Sequence, residues 1–222
     1  TGDDVDLHAV LGLTSGQHLL KRYQGGLAAQ KRTGSVLTLT HKNRKSYRQF
    51  ASDVPGTDRL FTCLPNLVDD MAKQTPTCEY YVYLRKAVGE YGKGIYQYHL
   101  ASRSLSLIQA GADEVFATGR NIPIELQGSF MLLMVARESQ RAEALYETGY
   151  VGQAIMHRGV NERIGFCALG SVDADVASRV LCLDDDQQVI HTMVGGAVND
   201  ALMAEGVVTE EPQLNIQQEL SR

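Results

Sequence analysis

Residues 144–196 read ALYETGYVGQAIMHRGVNERIGFCALGSVDADVASRVLCLDDDQQVIHTMVGG, and two side-chain periods alternate along them. LYETGYVGQAIMHRGV (145–160) has helical spacing, with Leu145, Gly149, Gly152 and Met156 on or near one stripe whose small residues allow close packing. IGFCALG (164–170) then reads as a strand. DADVASRVL (173–181) reads as a short helix with Asp173 as its N-cap, since a carboxylate there can accept from backbone N–H groups that the first turn leaves free. QVIHTMVGG (188–196) reads as another strand.

Upstream, SFMLLMVA (129–136) is continuously apolar and short enough to be a central strand buried on both faces. Three strand-like pieces precede it, CEYYVYL (78–84), GIYQYHL (94–100) and SLSLI (104–108), rich in tyrosine and β-branched residues and separated by Gly or Ser turns; the first two read as a hairpin or neighbouring strands. Residues 14–24 read as a helix followed by a loop. Thr57 can cap a helix through Leu60, Leu64, Leu67, Val68 and Met71 that Pro65 must kink or shorten. The tail VVTEEPQLNIQQELSR (207–222) is polar and is expected to extend over a neighbour or solvent. Helices, a β-meander, then strand–helix–strand–helix–strand predict an α+β fold, a sheet packed with helices.

Composition narrows the partners. At 222 residues, 44% of them apolar, the chain can bury a real core as one large domain or two small ones. The net charge of −5 argues against a broad nucleic-acid or lipid footprint, which needs a basic face. No apolar run approaches the roughly 20 residues that span a bilayer, and no charged-then-apolar leader opens the chain. A cytoplasmic protein is expected, with neither nucleic acid nor membrane as partner; the Thr-Gly start without an initiator Met leaves open a piece of something larger. Cys63, Cys78, Cys167 and Cys182 are widely spread, with no C-x-x-C and no zinc-ligand spacing, so no metal and buried reduced thiols are expected, with disulfides in a secreted protein as the alternative.

On this acidic chain HKNRKSYRQF (41–50) gathers His41, Lys42, Arg44, Lys45 and Arg48 around one serine, which suggests one small anion. An extended backbone puts Arg44, Ser46 and Arg48 on one side; two guanidinium forks with a hydroxyl between them make a phosphate clamp. A helix would turn Ser46 away, and a solvated basic stretch is the plainer alternative. A second feature is the end of IGFCALGSVD (164–173), where a Gly-containing turn before Asp173 exposes backbone N–H groups to a flat heterocycle or an anion; an ordinary strand-to-helix turn is the alternative. In ETGYVGQ (147–153), Glu147, Tyr150 and Gln153 follow at i, i+3 and i+6 beside glycines that admit either a ligand or a tightly packed helix. His99 and His191 read as packed or surface strand residues.

Taken together, these features resemble the oxidase domains of nonribosomal peptide synthetases, in the flavin-dependent nitroreductase superfamily alongside SagB-type azoline oxidases. RKSYRQF is similar to that family's Arg-x-Ser-x-Arg segment, GKGIYQYHLASRSLSLI to its Gly-x-Tyr-x-Tyr-His strand and the short strand after it, and NIPIELQGSFMLLMVA to its Asn-Arg-x-Ile segment, although Arg120 here precedes the Asn. Residues 144–196 resemble its Glu-Ala-Gly-Tyr-x-x-Gln helix, Gly-x-Cys-Pro-x-Gly turn and final strand ending Gly-Gly. The resemblance covers about residues 40–197. It implies a nitroreductase-like domain at 41–200 with extensions at 1–40 and 201–222, a mainly antiparallel central sheet and an intertwined homodimer. It further implies FMN near the dimer interface, with Arg44, Ser46 and Arg48 on the phosphate, Gly170 or Ser171 facing flavin N5, Gln153 among the cofactor-binding candidates and Tyr150 as the candidate for acid–base work. The activity implied is FMN-dependent oxidation of a carrier-protein-tethered thiazoline or oxazoline to the thiazole or oxazole, with other synthetase domains as partners.

Three departures qualify this. Ala168 replaces the family's Pro. Its glycine-rich loop is reduced to KQTPTCEYY (73–81), and the connection between MLLMVA and ALYETGY is short and lacks the tyrosine associated with proton removal in related oxidases. Either the chain is a catalytically silent, nitroreductase-like scaffold, or loop segments are missing from this sequence; the second reading predicts a chain break within 72–80 or 135–145. A general NAD(P)H-dependent nitro or quinone reductase is a third reading.

Overall fold

A computed structural model of the chain describes residues 45–51, 77–102 and 104–204. The helices expected at 14–24 and after Thr57, the polar tail, Cys63 and Arg44 lie outside the described residues. Six described strands, β1 (Glu79–Leu84), β2 (Gly94–His99), β3 (Ser104–Ala110), β4 (Phe130–Arg137), β5 (Ile164–Leu169) and β6 (Gln187–Ala197), form one sheet in the order β3-β2-β1-β4-β6-β5. Every neighbouring pair is antiparallel. The described helices are α1 (Ile122–Gln127), α2 (Arg141–Asn161), α3 (Ala174–Leu181) and α4 (Asp200–Ala204).

β4 lies between β1 and β6, and its continuous apolar run follows from being covered twice. Leu132 and Met134 pack on one face with Val151 and Ile155 of α2. Met131, Leu133 and Val135 pack on the other with Ala177, Val180 and Leu181 of α3. Each such buried side chain stabilises the fold by about 1.5–3 kcal/mol. Of the stripe read in the sequence, Gly152 and Met156 are buried on the packing face of α2, whereas Leu145 and Gly149 are not. Thr148, Val151, Gly152, Ile155 and Gly159 face the sheet, while Leu145 is 44% exposed and Gly149 has open space around it. Gly159 is where backbone meets sheet most closely, since a Cβ there would stand 2.6 Å from the Phe166 ring.

α3 starts as its sequence dictates: Asp173 Oδ1 accepts from Val176 N at 3.0 Å, and the helix ends on Cys182 in the left-handed region. That end leaves Cys182 exposed, against the expectation of burial, whereas Cys78 and Cys167 are buried; all three are free. β4 passes through one 3₁₀ turn, Glu138–Gln140, straight into α2, so the short connection within 135–145 is closed without a break.

Two irregularities shape the end of the sheet near α3. Pairing between β5 and β6 stops at Leu169↔Thr192, but β4 stays paired to β6 as far as Arg137↔Gln187. Among the described residues, 187–191 of β6 therefore have a strand on one side only. Within that half the register shifts from Met134↔His191 to Val135↔Val189, leaving Ile190 as a bulge.

Candidate functional site

The basic segment runs along the edge strand. Tyr47 N donates to Phe166 O at 2.9 Å and Ala51 N to Ala197 O at 2.8 Å, and no helix forms over 45–51. The Tyr47 ring lies over Gly165 and the Phe50 ring over Gly196, where Cβ atoms would stand 2.6 and 2.7 Å from ring carbons. With Tyr47 turned in and 4% exposed, Ser46 and Arg48 fall on the opposite, exposed side. This is the extended geometry that a clamp requires. Lys45 donates to Leu202 O at 2.5 Å and stands 5.0 Å from the Tyr47 ring centroid. Arg48 lies close enough to Cys167 for its charge to oppose the rise that burial imposes on that thiol.

At the end of β5 the turn is exposed at Gly170 and Ser171 and anchored from behind. Ser171 Oγ and Thr118 Oγ1 are 2.7 Å apart, Val172 bridges to Ala117, and Asp173 N donates to Phe116 O at 2.7 Å. The loop making these contacts is held by Glu125 of α1, a helix and a residue that the sequence reading missed. Its carboxylate is 0% exposed and accepts from Phe116 N at 3.1 Å, Ala117 N at 2.5 Å and Arg85 at 3.3 Å. Burial pushes this carboxyl above the ordinary glutamate range, opposed by the two N–H donors and by Arg85.

Between this turn, α3 and the uncovered half of β6 is a cavity of about 290 Å³, whose polar lining includes Ser171, Ser178, Gln188, His191 and Thr192. Its size is at the lower end of small-molecule sites. Gly170 also lines it and has nothing near its missing side chain, so its backbone is open to approach.

The third feature divides. Glu147 is committed to the fold: it accepts from Thr77 N at 2.7 Å, Thr77 Oγ1 at 2.5 Å and Tyr80 OH at 2.7 Å. Burial, and then the Glu147 charge, push the Cys78 thiol up to about 12, an inert thiol. Tyr150 is partly buried, and Gln153 is exposed with its Nε2 2.8 Å from His157 Nε2. Neither lines the cavity. Ser46, Arg48, Gly170 and Ser171 thus gather along β5 and its end, while Tyr150 and Gln153 stand on α2, which packs on the other face of the sheet.

No family model matches the chain, and no curated protein does. Solved structures do. A protein assigned as a nitroreductase from Ralstonia eutropha superposes with a TM-score of 0.51 at 16% identity, over 72% of this chain and 81% of that one. Another so assigned, from Anabaena variabilis, gives 0.54 at 16% identity over 72% of this chain, which spans only 38% of that protein's length. The antiparallel sheet and its helices thus have a nitroreductase-like fold.

Proposed function

We propose that the chain is an FMN-dependent oxidoreductase and, more narrowly, an oxidase that converts a carrier-tethered thiazoline or oxazoline to the aromatic ring. One observation carries this reading. Ser46 and Arg48 project together along β5, and the open Gly170–Ser171 turn ends the same strand. The donor set fits the cofactor: an exposed guanidinium offers parallel N–H groups to a phosphate, a hydroxyl adds another donor, and backbone N–H groups suit the rim of a flat ring. Arg44 would complete the phosphate site and a second copy of the chain would close the cofactor site, with Gln153 of α2 as a further cofactor-binding candidate and Tyr150 as the candidate for acid–base work. When bound, the flavin supplies two-electron acceptance; the chain's part is to bind, orient and exclude water.

The absorbance spectrum of the purified chain tests this. A flavin chromophore that is retained, or gained on adding FMN, is the expected result, and Arg48→Ala should lower flavin occupancy while leaving the circular dichroism unchanged. A protein that stays colourless with FMN present ends the reading. The three-residue connection Glu138–Gln140, which carries no tyrosine, favours a silent scaffold as the second reading. Rapid bleaching of the flavin by NADPH would favour a nitro or quinone reductase instead.

A further inference from the structure

The segment that joins β3 to α1 is held at successive points from Ala112 to Thr118. Tyr83 OH donates to Ala112 O at 3.0 Å, and Arg85 donates to Glu114 O at 3.3 Å. The Phe116 ring is fully buried and edge-on to Tyr83, with ring centroids 5.5 Å apart. Glu125 takes the N–H groups of both Phe116 and Ala117, which pins the two residues before Thr118. A 3₁₀ turn, Gly119–Asn121, starts immediately after it, with Asn121 N donating to Thr118 O at 3.2 Å. Thr118 is thus fixed from both sides along the chain.

The turn at the end of β5 hangs between two fixed ends. Leu169 is the last residue of β5 paired to β6, and Asp173 donates its N–H to Phe116 O while its carboxylate caps α3. Of the three residues between them, Val172 bridges to Ala117, and Ser171 Oγ stands 2.7 Å from Thr118 Oγ1. Gly170 has nothing within 4 Å of its missing side chain. The Ser171 hydroxyl is spent on the protein, so what the turn offers outward is its backbone.

We propose that Thr118 is a positioning residue for the flavin inferred above. Its hydroxyl holds Ser171 from behind, so that the backbone of the Gly170–Ser171 turn, and not the Ser171 hydroxyl, meets the rim of the ring. Glu125 supports Thr118 through the Ala117 N–H. The proposal rests on the flavin reading for the identity of the ring. Backbone N–H groups aimed at a ring favour its electron-rich, reduced form over the oxidised one, because fixed dipoles need no reorganisation as charge develops. Released from Thr118, the turn would aim less well, and the bound flavin would be harder to reduce.

FMN affinity and the midpoint potential of bound FMN, measured on the whole chain, test this with Thr118→Val, Ser171→Ala and the double variant. Valine keeps the shape and β-branching of Thr118, a half-buried residue, so the fold is retained. Each single variant should weaken FMN binding on the order of 5-fold, the net worth of one hydrogen bond, and lower the midpoint potential. The double variant should match the single ones, since both remove the same bond. A loss of stability alone would leave the potential of the bound flavin where it was. An unchanged potential in Thr118→Val overturns the proposal, and so do losses that add with Ser171→Ala the larger, because the Ser171 hydroxyl would then meet the ring itself. A second measurement needs no flavin: amide hydrogen exchange at Asp173. Glu125→Gln should speed it on the order of 10-fold with the β4 amides unchanged, and an unchanged rate overturns the support assigned to Glu125. A chain that takes up no FMN yet shows this acceleration sinks the flavin reading and keeps the hold on the turn. A chain that binds FMN, with Thr118→Val behaving as wild type, does the reverse.

Discussion

Glu125 Oε2 accepts the backbone N–H of Ala117 at 2.5 Å, and the next residue, Thr118, meets Ser171 of the candidate site. The turn at the end of β5 is therefore set by a carboxylate on another helix. Glu125→Ala would leave two backbone N–H groups and part of Arg85 unmatched, at about 1–3 kcal/mol for each buried group left unsatisfied. We expect a loss of at least about 3 kcal/mol in urea unfolding, within the range seen when one partner of a buried ion pair is removed. Glu125→Gln should lose less, because it keeps an acceptor and the shape.

The same carboxylate predicts a pH dependence. Its folded-state pKa is raised, chiefly by desolvation, so the folded chain holds this proton to higher pH than the unfolded chain does. The stability it contributes is present below the ordinary glutamate range and is lost as pH rises through the raised value. The unfolding free energy of wild type minus that of Glu125→Gln should therefore fall as pH rises through that window. A flat difference, or one that grows with pH, would contradict the assignment of desolvation as the dominant cause.

Leu133 shows what double coverage demands. It is fully buried on the α3 face of β4, and its neighbours along the strand are buried on the α2 face. Leu133→Ala should cost about 2–5 kcal/mol, with the spread set by how far α3 can settle into the cavity. The midpoint of chemical denaturation measures it, and a change under about 1 kcal/mol would mean that α3 packs on Leu133 more loosely than its full burial implies.

Much of this frame is local and therefore legible in the sequence. Val135 and its neighbours form one apolar run because both faces are covered, and Asp173 caps α3 by a bond three residues long. The residues that were missed depend on distant neighbours. α1 is six residues with a proline near its start, too short for a periodic signal, and the role of Glu125 exists only because residues 116–117 fold back over it. His191, read as a packed or surface strand residue, does pack against Gly152 of α2; the cavity beside it forms because β5 ends at Leu169 and Ile190 bulges. The stripe on α2 was misplaced around Leu145 and Gly149 because helical spacing gives a face but not which neighbour covers it.

Gly165 offers a last test, directed at how Ser46 and Arg48 are presented. A Cβ at 165 would stand 2.6 Å from Tyr47 Cγ and 2.5 Å from Val198 Cγ1, so Gly165→Ala overpacks the place where the basic segment docks. The expected cost is about 1–3 kcal/mol, with weaker FMN binding if the proposed clamp holds, although neither Ser46 nor Arg48 is altered. Tyr47→Ala removes the obstructed ring, so the double variant should be more stable than the sum of the single losses predicts, by about 0.5–3 kcal/mol of coupling. Strictly additive losses would mean that the Tyr47–Gly165 contact does not dock the segment, and the common placement of Ser46 and Arg48 would then need another support.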